Sequence, residues 1–424
     1  MPLNIPESSF ERIVIIGAGF AGYTLAKKLA GKNFQIVLVD RNNYHQFQPL
    51  FYQVGMAGLE PSSICFPLRR SFQSDPNFFV RVTEVLEIRT EQKRIVTTEG
   101  EIRYDKLILA MGAKTNFYGN AEFEANTIPL KSVSESLYLR NAILGDLEKS
   151  LMMDKGIDIS PILDIVIVGG GPTGVELAGA LAEMKNYIIP RDYPDLDVQK
   201  MNIQLIQAED RLLPSMSLQS SERARTDLEK MGVHIHLNQR VESIKEGKVI
   251  LKDDSSFIAN KVIWAAGVSP ATIPGLPDSV YSKGRRIVVE SDLSVIGIQD
   301  VYAMGDIAAH ISEKNPQGLP QVASVALQQA SWLALHLKGK KQSPFEYFDK
   351  GQLATIGRNK AVVDIGSYHF GGFFAWLTWL FVHIYYLIGV RNKIIVLLNW
   401  IWSYIFYDQG LRLLIKPVQV MNKD

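Results

Sequence analysis

The chain has one cysteine, Cys65, in 424 residues. That excludes an internal disulfide and a redox-active cysteine pair, and points to a reducing compartment. Charge of one sign is also lacking: 45 Lys and Arg stand against 44 Asp and Glu, so there is no global basic field and no nucleic acid is expected as a partner. The opening MPLNIPESSFERIV has no basic segment followed by an apolar core, so no secretory signal peptide is expected. It also lacks the Arg- and Ser-rich character of a transit peptide. His234 and His236 alternate on one strand face with no further ligand types nearby, so they read as solvated residues and no metal site is expected.

What is present is repetition. RIVIIGAGFAGYTLAKKLA (Arg12 to Ala30) and DIVIVGGGPTGVELAGALAEM (Asp164 to Met184) share one grammar: a β-branched run, a glycine cluster, then an Ala/Leu-rich helical pattern. A further apolar strand follows each, QIVLVD ending at Asp40 and MNIQLIQ ending at Gln207. The expected fold is α/β, with two Rossmann-like dinucleotide-binding domains. KLILAMG and KVIWAAG read as strands closing on Gly112 and Gly267, and residues 80–104 as a small antiparallel insertion. Ser291 to Ala309 reads as strand, turn, strand and the start of a helix, with Asp306 near that start.

A pyrophosphate must be met by backbone N–H groups with no side chains in the way. Gly17, Gly19 and Gly22 fit G-x-G-x-x-G: a tight turn, close approach of the phosphates, and close helix-on-strand packing. Asp40 stands at a strand end where a carboxylate takes ribose hydroxyls. Gly169, Gly171 and Gly174 repeat the pattern, but Gln207 replaces the expected acid. A neutral amide still bonds a ribose hydroxyl and does not repel a 2′-phosphate, so NADH is the expected donor and NADPH is not strongly excluded. Two such units imply two dinucleotides that meet, and hydride transfer from NADH to FAD is the simplest chemistry that needs both.

Phe373 to Val390 and Ile394 to Tyr407 are almost wholly apolar and rich in Trp and Tyr, including Trp376, Trp379, Trp400 and Trp402. As a helix the first run is about 27 Å long, just short of a hydrocarbon core. Arg391, Asn392 and Lys393 interrupt, and the second run is too short to span. The aromatic residues and the cationic flanks suit the interface of an anionic membrane. A C-terminal membrane-associating helical region lying on one leaflet is expected; a transmembrane hairpin and a dimerisation surface are the alternatives.

These features together resemble the two-dinucleotide-binding flavoproteins, and within them the type II (non-proton-pumping) NADH:quinone oxidoreductases. Further likeness lies in NNYHQFQPLFYQVG, LILAMGA, VIWAAGV, DVYAMGDIA and LPQVASVALQQA. The resemblance implies that Gly17, Gly19, Phe20, Ala21, Gly22, Asp40, Arg41, His45, Gln48, Ala110, Gly112, Asp306 and Gln321 contact FAD. It places the nicotinamide nucleotide on Gly169, Gly171, Pro172, Thr173, Gly174, Gln207, Ala266 and Gly267. Glu176, expected in the first turn of the second helix, positions nicotinamide or handles protons, or else complements the helix N-terminus. Gln328 and Ser324 flank the quinone; Ser324 departs from the family's A-Q-x-A-x-Q, which has glutamine there. A lone Cys65 sets the chain apart from disulfide reductases and sulfide:quinone oxidoreductases, and reads as a packing residue.

The implied domains are an FAD-binding domain of residues 10–125 and 290–340, an NAD(P)H-binding domain of 126–289, and an anchoring region of 341–424. The implied acceptor is a membrane quinone, ubiquinone or menaquinone, reduced without proton pumping. The implied setting is a homodimer, peripheral on the cytoplasmic face of the cell inner membrane. A ferredoxin or rubredoxin reductase and an apoptosis-factor-like redox sensor are the competing functions at this point.

Overall fold

The computed structural model describes residues 3–154, 156–406 and 410–415. The chain forms two compact units. One comprises Met1–Gln46, Cys65–Lys114 and Val268–Lys350; the other comprises Phe47–Ile64, Thr115–Gly267 and Gly351–Asp424.

The first unit is built on a five-stranded parallel sheet in the spatial order Val301–Ala303, Lys106–Leu109, Glu11–Ile16, Phe34–Asp40, Phe78–Val82. Ile13, Val14 and Ile15 in its central strand are wholly buried, as both faces of a covered parallel sheet require. Helix Phe20–Leu29 follows that strand and packs on helix Ala323–Leu337. The antiparallel insertion is Val85–Arg89, Arg94–Thr97 and Gly100–Arg103. Its register sets Ile88, Ile95 and Ile102 side by side, and all three are buried. One expectation fails here. Asp306 lies in a single 3₁₀ turn, Gly305–Ile307, which does not continue into a helix. Strand Ala308–His310 follows instead, because Ile287–Val289 offers it a parallel partner for its backbone groups.

The second unit repeats the plan, with parallel order Ile128–Pro129, Lys261–Trp264, Ile165–Val168, Ile203–Ile206, Val233–His236. Helix Pro172–Glu183 leaves its central strand as the sequence leads one to expect. A three-stranded antiparallel sheet, Gln352–Gly357, Lys360–Ile365 and Tyr368–Gly371, packs on that helix. Gly179 makes this possible, since a Cβ there would collide with the Ile356 carbonyl.

Two C-terminal helices close the unit, Phe373–Tyr386 and Val390–Phe406. Their boundaries differ from those expected. The break falls at Leu387 to Gly389, and Arg391, Asn392 and Lys393 form the first turn of the second helix rather than an interruption. A helix start tolerates polar side chains at its rim, whereas the glycine ends the apolar run. Tyr407 lies outside the described residues. Among the described residues no helix is long and apolar enough to cross a membrane.

Candidate functional site

The first glycine loop is held by backbone. Gly17 sits at φ +96°, and its N–H donates to the Val39 carbonyl at 2.8 Å. A Cβ on Gly17 would strike Ala110, and one on Gly22 would strike the Gly17 carbonyl. Gly19 faces open space, at the head of a ten-residue helix with no capping side chain and no acid in its first turn. Its N-terminal N–H groups are therefore left to an anion. Asp40 is oriented by this loop. Its Oδ2 accepts from Ala18 N–H and its Oδ1 from Asn42 N–H, both at 2.7 Å, while burial raises its pKa.

His45 is buried against the same loop. Its Nδ1 lies 2.8 Å from the Ala18 carbonyl and its ring 5.5 Å from that of Phe20. Burial lowers its pKa to about 4, so near neutral pH the ring is uncharged. Opposite a carbonyl the neutral ring donates from Nδ1, which makes Nε2 an acceptor. That buried Nε2 has no partner among the described residues. An orphaned acceptor beside an open phosphate cradle is what a bound dinucleotide would satisfy. Arg41 is exposed. Gln48 belongs to the second unit, where its Oε1 accepts from Lys131 at 3.1 Å.

The Asp306 turn is clamped by two glutamines from the segment and helix that follow it. Gln321 Nε2 donates to the Asp306 carbonyl at 2.9 Å, and Gln329 Oε1 accepts from Gly305 N–H at 2.7 Å. Gln329, wholly buried, escaped the sequence reading; its only signal there is that it doubles Gln328. Ser324 Oγ lies 2.8 Å from the Tyr347 hydroxyl. Gln328 bonds both the N–H and the carbonyl of Phe348, at 3.0 and 2.9 Å. These two side chains thus tie residues 347 and 348 to their helix.

The second loop copies the first. Gly169, at φ +113°, donates to the Ile206 carbonyl at 2.8 Å. Cβ atoms on Gly169 and Gly174 would strike Ala265 and the Gly169 carbonyl, while Gly171 faces open space before the exposed Pro172 and Thr173. Gln207 takes the post of Asp40: its Oε1 accepts from Gly170 N–H at 2.8 Å. Its Nε2 has no protein partner among the described residues. The Ala266 carbonyl accepts from the Tyr118 hydroxyl at 2.8 Å, and Gly267 follows at φ +103°.

Glu176 corrects an expectation. It is the fifth residue of its helix, past the first turn, because the helix begins at Pro172; no acid complements the N-terminus. It is buried, and its Oε1 accepts from Thr355 N–H at 3.3 Å and Trp379 Nε1–H at 3.1 Å. Burial raises its pKa to about 8 against these two donors, so near pH 7 it holds a proton. A second correction concerns Trp379, which is 1% exposed and serves Glu176 instead of lying at a lipid interface. Both residues line a cavity of about 120 Å³ within this unit. Cys65 is half-buried, and burial pushes its thiol up to about 12, out of reach of thiolate chemistry.

Residues 11–330 match the family model described as pyridine nucleotide-disulphide oxidoreductase, and residues 350–407 match the NDH2 C-terminal domain. The chain is 34% identical over 421 residues to the type II NADH:quinone oxidoreductase Ndh of Mycobacterium tuberculosis, covering 94% of this chain and 89% of that one. It is 28% identical over 437 residues to the mitochondrial internal alternative NAD(P)H-ubiquinone oxidoreductase A1 of Arabidopsis thaliana, covering 94% and 85%. Among solved structures, NDH2 from Plasmodium falciparum in complex with NADH superposes with a TM-score of 0.87 at 21% identity, covering 96% of this chain and all of that one. The sulfide:quinone oxidoreductase of Aquifex aeolicus reaches 0.70 at 18% identity, covering 97% of each chain. The two structural likenesses bear on fold alone.

Proposed function

The chain belongs to the type II NADH:quinone oxidoreductase family, and from that premise we propose how its residues divide the work. It is an NADH dehydrogenase and a flavoprotein with quinone as acceptor. FAD, when bound, accepts a hydride from NADH and passes two electrons on to quinone.

The first loop seats the FAD pyrophosphate: Gly17, Gly19 and Gly22 clear the approach, and the N–H groups at Phe20 and Ala21 meet its charge. Asp40 holds the adenosine ribose, Arg41 flanks it, and His45 Nε2 accepts a hydrogen bond from the bound group. Ala110 and Gly112 support the loop, Gln48 contributes from the segment after it, and Gln321 aims Asp306 at the ribityl chain. Gly169, Gly171, Pro172, Thr173 and Gly174 seat the pyrophosphate of NADH, with Gln207 at its ribose and Ala266 and Gly267 nearby. Gln207 carries no charge to repel a 2′-phosphate, so NADPH is also accepted. Glu176 holds a proton on a carboxyl that water-poor surroundings keep neutral, ready for a product that needs one. Ser324 and Gln328 shape the quinone face through the segment they hold.

The same reading assigns residues 10–125 and 290–340 to FAD binding and 126–289 to NAD(P)H binding. Residues 341–424 carry the contact with a lipid surface on the cytoplasmic side of the membrane, where homodimers form. The apolar stripe of the last helix supports it. Ile394, Leu397, Leu398, Ile401, Trp402 and Ile405 recur at three- and four-residue steps, and all are exposed.

One observation carries the reading: two glycine loops of one design, each with a bare helix end and a hydrogen-bonded side chain at the ribose post. Purified protein is expected to bind FAD, to bleach with NADH under argon, and to recolour on adding a short-chain quinone. Protein that stays colourless after soaking in FAD would sink the proposal.

A further inference from the structure

The sheet of the second unit sets its strand ends in a row. Strands Ile203–Ile206, Ile165–Val168 and Lys261–Trp264 are parallel and adjacent in that order, so their carboxyl ends share one edge. Ligands of such sheets lie along that edge. Gln207, the ribose post, ends the first of these strands, and the glycine loop ends the second. A dinucleotide with its adenosine at Gln207 and its pyrophosphate on the loop carries its other half onto the end of the third. The loop already rests against the chain leaving that strand. A Cβ on Gly169 would come 2.6 Å from the Ala265 carbonyl and 2.8 Å from Ala266 Cα.

A turn from another part of the same unit is laced to this strand end. Asn116 N–H donates to the Gly267 carbonyl at 3.2 Å, and the Asn116 carbonyl accepts from Trp264 Nε1–H at 2.8 Å. Phe117 and Phe123 both pack against the Trp264 indole, with ring centroids at 6.0 and 4.8 Å. Tyr118, which follows Phe117, is left outside that cluster and is 68% exposed. Its hydroxyl donates to the Ala266 carbonyl at 2.8 Å, which ties the ring to the strand end. Gly267 leaves room for it, since a Cβ there would come 3.1 Å from the same hydroxyl. Tyr118 also holds φ +55°, a left-handed backbone that bulky side chains rarely adopt. Asn116 Oδ1 accepts from the Tyr118 N–H at 2.9 Å and steadies that turn. The ring is thus strained in its backbone, tied at its hydroxyl and open to solvent, so it serves no core. Strain kept at such a place points to a ligand.

We propose that Tyr118 is a binding residue for the nicotinamide half of NADH, its ring lying against the ribose and nicotinamide where they pass the end of strand Lys261–Trp264. The proposal rests on the reading that the second glycine loop seats NADH. An aromatic face gives a flat ring or a sugar a surface to pack on. The tie to Ala266 holds that face in place beforehand, so little side-chain freedom is lost on binding. The adenosine half lies two strands away, at Gln207, and is left to other residues.

Titration calorimetry on the FAD-loaded full chain compares NAD⁺ with ADP, which ends at the pyrophosphate. Tyr118→Ala weakens NAD⁺ at least about fivefold and leaves ADP within about twofold. Tyr118→Phe keeps the ring but loses the tie, and falls between the parent and Tyr118→Ala. Tyr118→Asn suits the left-handed backbone, so it melts no lower than the parent, yet it weakens NAD⁺ as Tyr118→Ala does. NAD⁺ affinity within about twofold of the parent in both Tyr118→Ala and Tyr118→Asn overturns the proposal. Equal loss of NAD⁺ and ADP also overturns it, because a turn that only props the glycine loop does not distinguish them. A parent protein that holds FAD but binds neither NAD⁺ nor ADP fails the reading of the second loop itself, which is a separate result.

Discussion

Glu176 ties stability to pH in a way that can be measured. Its folded pKa is raised from 4.5 to about 8, so the folded chain binds this proton more tightly than the unfolded chain. Its contribution is complete below pH 4.5 and is lost as pH rises towards 8, at up to about 1.4 kcal/mol per pH unit. Glu176→Gln removes that slope. Urea unfolding of the two proteins between pH 5 and 9 should show the variant gaining on the parent as pH rises; parallel profiles would refute the assignment. Gln207 gives a second prediction. Gln207→Glu keeps the reach to Gly170 N–H and adds a charge, so kcat/KM for NADPH should fall about tenfold or more, with NADH within about threefold. Equal effects on both donors would place the 2′-phosphate elsewhere. Both glycine signatures and Gln207 were legible in the sequence because each holds a fixed place in a βαβ unit, the first loop and the end of the second strand. Trp379 and Thr355 were not, because their partner Glu176 lies 203 and 179 residues away, and Gln329 was not, because no βαβ position marks it out from Gln328.

The elements were legible where a period runs uninterrupted. The central parallel strands and both loop helices fall where β-branched runs and glycine spacing put them, whereas parallel strands Phe78–Val82 and Ile128–Pro129 were not read. The C-terminal helices were misdivided because composition reports how apolar a run is, whereas the break at Gly389 is a backbone event. Two glycines in helices make a paired test. Gly145, in helix Val133–Leu151, has nothing within 4 Å of an added Cβ, so Gly145→Ala should stabilise by about 0.5–1 kcal/mol. Gly179→Ala should destabilise by about 1–3 kcal/mol, because its methyl must push the helix off strand Gln352–Gly357. Thermal melts that moved in the same direction for both would contradict the close approach of helix and strand.

For the molecule as a whole, the exposed stripe on the last helix is the feature to challenge. Deleting the C-terminal region is a poor test, since the deletion also removes Trp379 from Glu176. Leu398→Glu with Ile405→Glu alters only exposed positions and should weaken binding to anionic vesicles at least about tenfold with an unchanged melting temperature. Undiminished binding would move the lipid contact to another surface. The two-unit plan was read from the sequence because each unit repeats the same βαβ beginning. The division of the chain was harder to read, because Phe47–Ile64 joins the second unit through contacts that no local pattern announces.

Helix Phe373–Tyr386 has two duties. Outward it shows Phe374 and Phe381; inward it supplies the indole that holds the Glu176 carboxyl. If detergent gathers on the outer face, it presses on the same rigid rod whose Trp379 indole opposes the effect of burial on the Glu176 proton. Enzyme in micelles and enzyme on a bilayer should differ in the alkaline limb of their rate profiles, even where their affinity for NADH agrees.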